Sequence, residues 1–371
     1  MSADIGQDLI RIQGQLAEGA VSTVGFGSTL LVIPDQTFTP SAPFRRYTNV
    51  REVESDTDLD ATAKAWLESF FGARSRPPEI FVAGFDTGSG GLPSAGLSAA
   101  QAAIRADDRP APYWIGVLSR SDADLVDAAA WVDADEWPHI FIGQTANGDA
   151  LTPDYPSGLS DAQARIRKVF VYSAEADGRD LDADCIAFQA SIGPEVVATG
   201  GHWVSNLRGS TLTDAQRQQA RAHGFATLRT LFGAVGGSLP LREYEMRVVG
   251  GQNPLPLYRV VTVDYATDRM RVALASLAAG YIARGERFPG GSEGEALIRG
   301  EIGAALTAIT GRGSSSWLSP TPKFDGRSYG LFLSWDPETR RFSGECLINI
   351  RDQVDRISLD AIFGSFLEVE A

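Results

Sequence analysis

The chain has 371 residues, 43% of them apolar and 22% charged, which suits a soluble globular protein of two or three domains with a large core. Its formal net charge of −14 argues against nucleic acid or an anionic membrane surface as a partner. No apolar run approaches the roughly 18 residues that a membrane-spanning helix needs, and the opening MSADIGQD has neither the basic nor the apolar region of a secretory leader.

All but three of the 33 basic residues are arginine, the lysines being Lys64, Lys168 and Lys323. A GC-rich genome accounts for this, and so does a use for bidentate ion pairs with the abundant Asp and Glu. Cys185 and Cys346 stand far apart with no CxxC and no His at metal-ligand spacing, so two buried free thiols are expected.

The chain opens with a polar segment, Arg11 to Ala20, that can pair as a strand. An apolar run to Pro34 follows, broken by Gly25 and Gly27. A leading strand with no hairpin partner beside it in sequence must take its ladder from elsewhere in the fold or from another molecule.

From about 47 to 192 one pattern recurs. A helical stretch opens on Asp or Ser, carries apolar residues at three- and four-residue spacing, and ends in a Pro- or Arg-marked turn before a short apolar strand. The strands are Glu79 to Phe85, Tyr113 to Ser119, His139 to Gly143 and Lys168 to Ser173, the last followed by the helical DLDADCIAFQAS. Continuous apolar strands alternating with amphipathic helices predict a parallel sheet covered on both faces. Two glycine-rich stretches, Asp86 to Gly96 and Ala146 to Gly158, read as surface loops.

Beyond Thr199 the pattern predicts a capped helix within Thr213 to Gly233, leading towards an apolar strand or turn, and a strand in Arg242 to Gly251. Two long helices follow, at 263–285 and 292–313, with Asp264 and Ser292 as expected N-terminal caps and glycines at their ends. Arg327 to Trp335 and Phe342 to Asp352 flank the turn DPETRR and predict a hairpin. The final residues from Gln353 alternate like another strand. The fold class is therefore α/β, a layered parallel-sheet domain plus an α+β domain, with strand-like arms at both termini.

The search for chemistry is mostly negative. Gly290 to Gly294 fits G-x-S-x-G, but a turn precedes it and no His follows, so Ser292 is expected to cap a helix. His139 and His223 sit at the mouth of a strand and on a helix, as structural histidines do. His202, in TGGHWVSN, is the best remaining polar candidate and reads as a glycine-rich turn. Neither a P-loop nor a G-x-G-x-x-G fingerprint is present. Asp180, Asp182 and Asp184 suggest a divalent metal or, more simply, the acidic start of a helix, as do Asp56, Asp58 and Asp60. The residues imply no catalytic group, cofactor or metal.

The order of blocks resembles one known family. GFGSTLLVIP is similar to the FGT-L-I opening of the short contractile tail sheath proteins of myophages and prophages. Tyr47 to Phe85 is similar to that family's next block, a strand leading into a helix that ends in paired aromatics (Phe70, Phe71) and then a Pro-marked strand. A looser match covers helix 263–285, the turn at Phe288 and Pro289, and the strands to the end.

The resemblance implies a structural virion protein with no enzymatic activity and no cofactor. It implies residues 1–35 as an N-terminal arm and first core strand, 36–198 as an outer α/β domain, 199–352 as the sheath core, and 353–371 as a C-terminal arm. The arms, carried by Ile10, Ile12, Leu16, Val354, Ile357, Leu359, Ile362 and Phe366, are expected to add to the sheets of neighbouring subunits. Implied partners are copies of the chain in helically stacked hexameric rings, the tail tube protein, and baseplate and tail terminator proteins. The chain would be synthesised in the host cytoplasm and reside in the tail of the virion, with helix 292–312 towards the tube. Two other readings stay open. One is a small-molecule α/β enzyme with its site near Asp86–Gly96 or Gly143–Gly148. The other is a non-contracting tail or baseplate component of the same fold.

Overall fold

The apolar run that opens the chain becomes strand β1, Val24–Pro34, and its residues Leu30 to Ile33 are buried completely or nearly so. A strand apolar on both faces needs cover on both faces, and only the middle of a sheet supplies it. β1 accordingly lies between β3 (Ile80–Phe85) and β4 (Ala111–Val117), parallel to both. The computed structural model describes residues 24–34, 42–73, 76–88, 90–107, 109–135, 137–152, 168–172, 180–192, 212–223, 225–231, 241–244, 247–248, 255–286, 288–310, 318–338 and 341–349.

The sheet has eight strands in the order β2-β3-β1-β4-β5-β6-β7-β8. β5 (Ile140–Thr145), β6 (Lys168–Tyr172) and β7 (Phe225–Leu231) continue the parallel set, and β2 (Phe44–Tyr47) and β8 (Leu241–Tyr244) close its two sides antiparallel. The sheet therefore crosses the boundaries expected at 35/36 and 198/199. β1 is the centre of the domain assigned to 36–198, and β7 and β8 extend the same ladder. The apolar run Val24–Pro34 has its partners within its own chain, and Arg11 to Ala20 lies outside the described residues.

Period-two alternation sorts the strand residues between two cores. Leu31, Ile33, Val82, Tyr113, Ile140 and Ile142 face one side, where α2 (Ala61–Gly72) and α5 (Leu181–Ile192) pack with Trp66, Phe70 and Ile186. Leu30, Val32, Phe81, Ile115, Val117 and Phe141 face the other, against α3 (Pro93–Ala106) and α4 (Asp122–Ala134). Each fully buried aliphatic or aromatic side chain contributes roughly 1.5–3 kcal/mol. α3 approaches closely enough that a Cβ on Gly96 would stand 2.7 Å from the Gly84 carbonyl oxygen, so glycine is needed there.

Short-range chemistry sets the helix starts. Asn49 caps α1 (Val50–Ser55) by accepting from the Glu52 amide at 3.2 Å, and Asp60 caps α2 through the Ala63 amide at 2.6 Å. Asp56 and Asp58 do not cap α2. They hold Arg45 of the edge strand β2, and Asp56 also accepts from the Tyr47 hydroxyl at 2.6 Å. α6 (Asp214–Ala222) follows Thr213, whose hydroxyl accepts from the Gln216 amide at 3.3 Å.

Strands β9 (Arg247–Val248) and β10 (Leu255–Pro256) form a minimal antiparallel pair before α7 (Leu257–Ala283). This helix of 27 residues, about 40 Å long, starts earlier than expected. Asp264 is therefore not its cap but a buried residue two turns in, accepting from the Tyr113 hydroxyl at 2.8 Å. The apolar YRVV before it extends the helix because its near end packs on the first core through Leu257, Val260 and Val261. The far end of α7 joins α8 (Gly291–Ile309) and the hairpin of β11 (Tyr329–Asp336) with β12 (Arg341–Ile348) in a third core of Met270, Ile298, Ile302, Leu306, Cys346 and Ile348. Gly290 rather than Ser292 occupies the cap position of α8, with no side-chain bond, and Ser292 is exposed in its first turn.

Candidate functional site

In open α/β sheets ligands bind beyond the carboxyl ends of the strands, where the strand order reverses. Here the reversal falls at β1, between β3 and β4. Among the described residues, several positions at that end that could hold an anion are bonded within this chain. The N-terminus of α3 follows the glycine-rich loop. Its Ser94 amide donates to Asp127 Oδ2 at 2.7 Å and its hydroxyl to Oδ1 at 3.1 Å, so a carboxylate from α4 sits where a phosphate would. Within that loop the amides of Gly88 and Gly91 donate to Asp86 itself, both at 2.9 Å. At the end of β5, Thr145 and Asn147 donate to Asp122 at 3.4 and 3.3 Å.

Just beyond β4, Arg120 donates to Asp182 through both terminal nitrogens, at 3.0 and 3.3 Å, and to Asp180 at 2.6 Å. Asp182 is fully buried, and its amide donates to Gln144 Oε1 at 3.2 Å. The acidic run thus opens α5, as its composition predicts, and its first two carboxylates also bind one guanidinium. Among the described residues no group of three or more His, Cys, Asp or Glu is placed to hold a metal ion.

Burial raises the Asp180 carboxyl above its usual range; the neighbouring Asp182 charge adds to this, and Arg120 partly offsets it. Asp184, one turn further and buried, is pushed up to about 6 by burial. A carboxyl raised in the folded state binds a proton that the unfolded chain has released, so its contribution to stability falls as pH rises from about 4 to about 6. Asp184→Asn removes that cost. The variant should gain on the order of 1–3 kcal/mol at pH 8 and almost nothing at pH 4, as read by thermal denaturation at the two pH values. An equal gain at both would contradict the buried-carboxyl account.

His139 is buried, stacked on Trp131 with ring centroids 5.1 Å apart. Its Nδ1 lies 2.6 Å from the Pro112 carbonyl and its Nε2 3.2 Å from Asp135. Burial works against the Asp135 charge, but bonds from His139, the Trp137 amide and Gln101 hold it down at about 2. His223 contacts the Thr152 carbonyl at 2.7 Å. Both histidines are structural, and His202 lies outside the described residues. Cys185 and Cys346 are buried thiols, and burial pushes the Cys346 thiol up to about 12, which leaves it unreactive.

What remains is surface. Ile10, Ile12, Leu16, Val354, Ile357, Leu359, Ile362 and Phe366 all lie outside the described residues. Their expected docking surface is a sheet edge. The outer edge strand β2 carries Arg45 and Arg46, tied to Asp56, Asp58 and Glu79, a charged edge of the kind that resists pairing. The hairpin β11–β12 is different. Among the described residues it is a sheet of only two strands, with α8 against β11, and its open face presents Phe332, 57% exposed. The sequence LFLSW carried the signal for this, since Leu331 and Leu333 pack on the third core, Trp335 lies against Phe342, and Phe332 must alternate outward.

The fold, from β1 to the hairpin, is similar to that of the anti-feeding prophage (AFP) helical sheath in its contracted state. The TM-score is 0.64 at 12% identity, over 97% of this chain and 99% of that one. This chain has the sheath fold. The AFP baseplate in its contracted state is similar as well, with a TM-score of 0.59 at 14% identity over 93% of this chain and 95% of that one. No protein-family model and no curated protein matches the sequence. Sheath fold and sequence therefore meet only through the order of elements, and the agreement runs the whole length of both chains. No described helix of this sheath fold is long and apolar enough to cross a membrane.

Proposed function

We propose that this chain is the sheath subunit of a contractile tail. Copies stack as hexameric rings around a tail tube, bound to one another through exchanged terminal strands, and their rearrangement drives the tube through a host envelope. The supporting observation is the likeness to an AFP sheath subunit over 97% of the chain together with a hairpin that, among the described residues, is a sheet of two strands. A hairpin alone is marginal in water, and each backbone hydrogen bond that an added strand makes contributes about 0.5–1.5 kcal/mol net.

In this reading the particle, phage tail or related injection device, is where the chain resides. The tail tube, baseplate and terminator are its further partners, and α8 is the element nearest the tube. Contraction is a rigid-body repacking of subunits, with the α/β domain and the hairpin domain carried on the two ends of α7. The likeness to a baseplate structure keeps a second reading alive, a tail-end component of the same fold that does not contract. The enzyme reading has the least support, because Asp127, Asp122 and the Arg120 cluster fill the crevice positions it requires.

Deleting residues 1–20, or 353–371, tests the exchange. Each truncated subunit should remain folded, with an unchanged thermal transition, and fail to polymerise. Tubes or rings that survive both deletions would overturn the exchanged-arm model.

A further inference from the structure

α7 belongs to two cores at once. Leu257, Val260 and Val261 lie in the first core against the sheet, and Ala266 and Met270 lie in the third with the hairpin. At about 3.6 residues per turn these two sets occupy different faces of the helix. A roll or tilt of α7 on the sheet therefore swings the hairpin domain as a whole. About 28 Å of helix separate Asp264 from Ala283, so a tilt of about 10° at the joint moves the far end by about 5 Å. The aliphatic contacts of the near end are non-directional, and by themselves they tolerate such a movement.

One contact at the joint is directional. Tyr113, fully buried in β4, donates its hydroxyl to Asp264 Oδ2 at 2.8 Å, and Asp264 is 4% exposed. Moving α7 by one residue turns a side chain by roughly 100° and advances it by about 1.5 Å, which breaks this bond with both groups out of water. The Tyr113 ring is itself held. Phe26 of β1 lies against it with ring centroids 4.7 Å apart and meets Tyr265 of α7 edge-on at 5.4 Å. Phe26 sits where the register of β1 on β4 shifts, between Gly25 and Thr29, and its carbonyl accepts from Trp114 Nε1 at 2.7 Å. A Cβ on Gly25 would stand 2.8 Å from the Ser28 Cβ, so this irregularity needs glycine.

We propose that the Tyr113–Asp264 hydrogen bond is a latch that sets the roll of α7 on the sheet, and with it the placement of the hairpin domain relative to the α/β domain. Phe26 is the wedge that keeps the tyrosine in position. A buried polar pair of this kind gives less stability than its burial suggests, and its return is one defined setting among several that apolar packing allows. The latch belongs to the single subunit and is independent of the assembly reading above.

Spin labels on Ala65→Cys of α2 and Ser334→Cys of β11, both exposed positions, report the distance between the two domains by pulsed electron spin resonance. The labelled full-length chain is diluted in unlabelled chain so that only distances within one subunit are read. Cys185 and Cys346 are buried, and the chain without the two added cysteines gives the labelling background. One narrow distance is expected for the parent pair. Tyr113→Phe and Asp264→Ala should shift or widen it by about 5 Å, whereas Asp264→Asn, whose amide oxygen still accepts the same proton, should keep it. Val261→Ala thins the apolar contact at the same joint and should lower the thermal transition without moving the distance. Parent distances in both Tyr113→Phe and Asp264→Ala, a movement with Val261→Ala as large as theirs, or a broad distribution in the parent itself would overturn the latch.

Discussion

Replacing Arg120 with alanine should destabilise the subunit by about 3–5 kcal/mol, a large part of the roughly 5–15 kcal/mol that holds a domain folded. The loss comes less from the attraction removed than from the charge left behind. Asp182 is fully buried and Asp180 is partly so, and each has Arg120 as its cationic partner, at 3.0 and 2.6 Å. Alanine leaves both carboxylates uncompensated at the start of α5, the helix that covers β1, β4 and β5. Arg120→Lys should lose less but still substantially, because a single ammonium cannot reproduce the two-nitrogen contact to Asp182. Folding measured by chemical denaturation at pH 7 reads the effect. The defect should shrink as pH falls, since the Asp180 carboxyl, raised by burial, takes up its proton sooner than an ordinary carboxyl does. A variant within about 0.5 kcal/mol of the parent would mean that water reaches the cluster and that it is not a structural pin.

Trp66→Ala should cost a similar amount, about 3–5 kcal/mol. Trp66 is fully buried on α2 and stacks on Phe70 with ring centroids 5.8 Å apart. It lies under Gly116 of β4, where an added Cβ would stand 3.6 Å from its ring. Its indole nitrogen makes no hydrogen bond among the described residues. Trp66→Phe therefore removes volume without stranding a partner and should cost well under half as much. Equal losses for the two variants would mean that the nitrogen has a partner and that packing is not the main term.

The parallel sheet was legible because its strands are continuous apolar runs, and most of the helices because their spacing and caps are local: Asp60 and Thr213 act within three residues, while the short helix capped by Asn49 was not read. What sequence could not place was set by distant partners. β1 reads as a leading strand without a neighbour, and its place between β3 and β4 depends on pairing across 51 to 87 residues. Asp264 reads as a cap because Asp before an apolar helix usually is one; the Tyr113 hydroxyl that it accepts from lies 151 residues away. Glu295 and Arg299 read as an ordinary i,i+4 pair, and only the fold brings the Leu331 carbonyl to the guanidinium. The pairing of Asp127 with Ser94, and of Arg120 with Asp180 and Asp182, likewise joins residues 33 to 62 positions apart.

In the proposed function the protein works through contacts with copies of itself. Imaging the purified full-length chain by electron microscopy at physiological salt tests that most directly. The account predicts hollow tubes or stacked six-fold rings with a central channel. A chain that stays monomeric or dimeric at every concentration, with no ordered polymer, would contradict it.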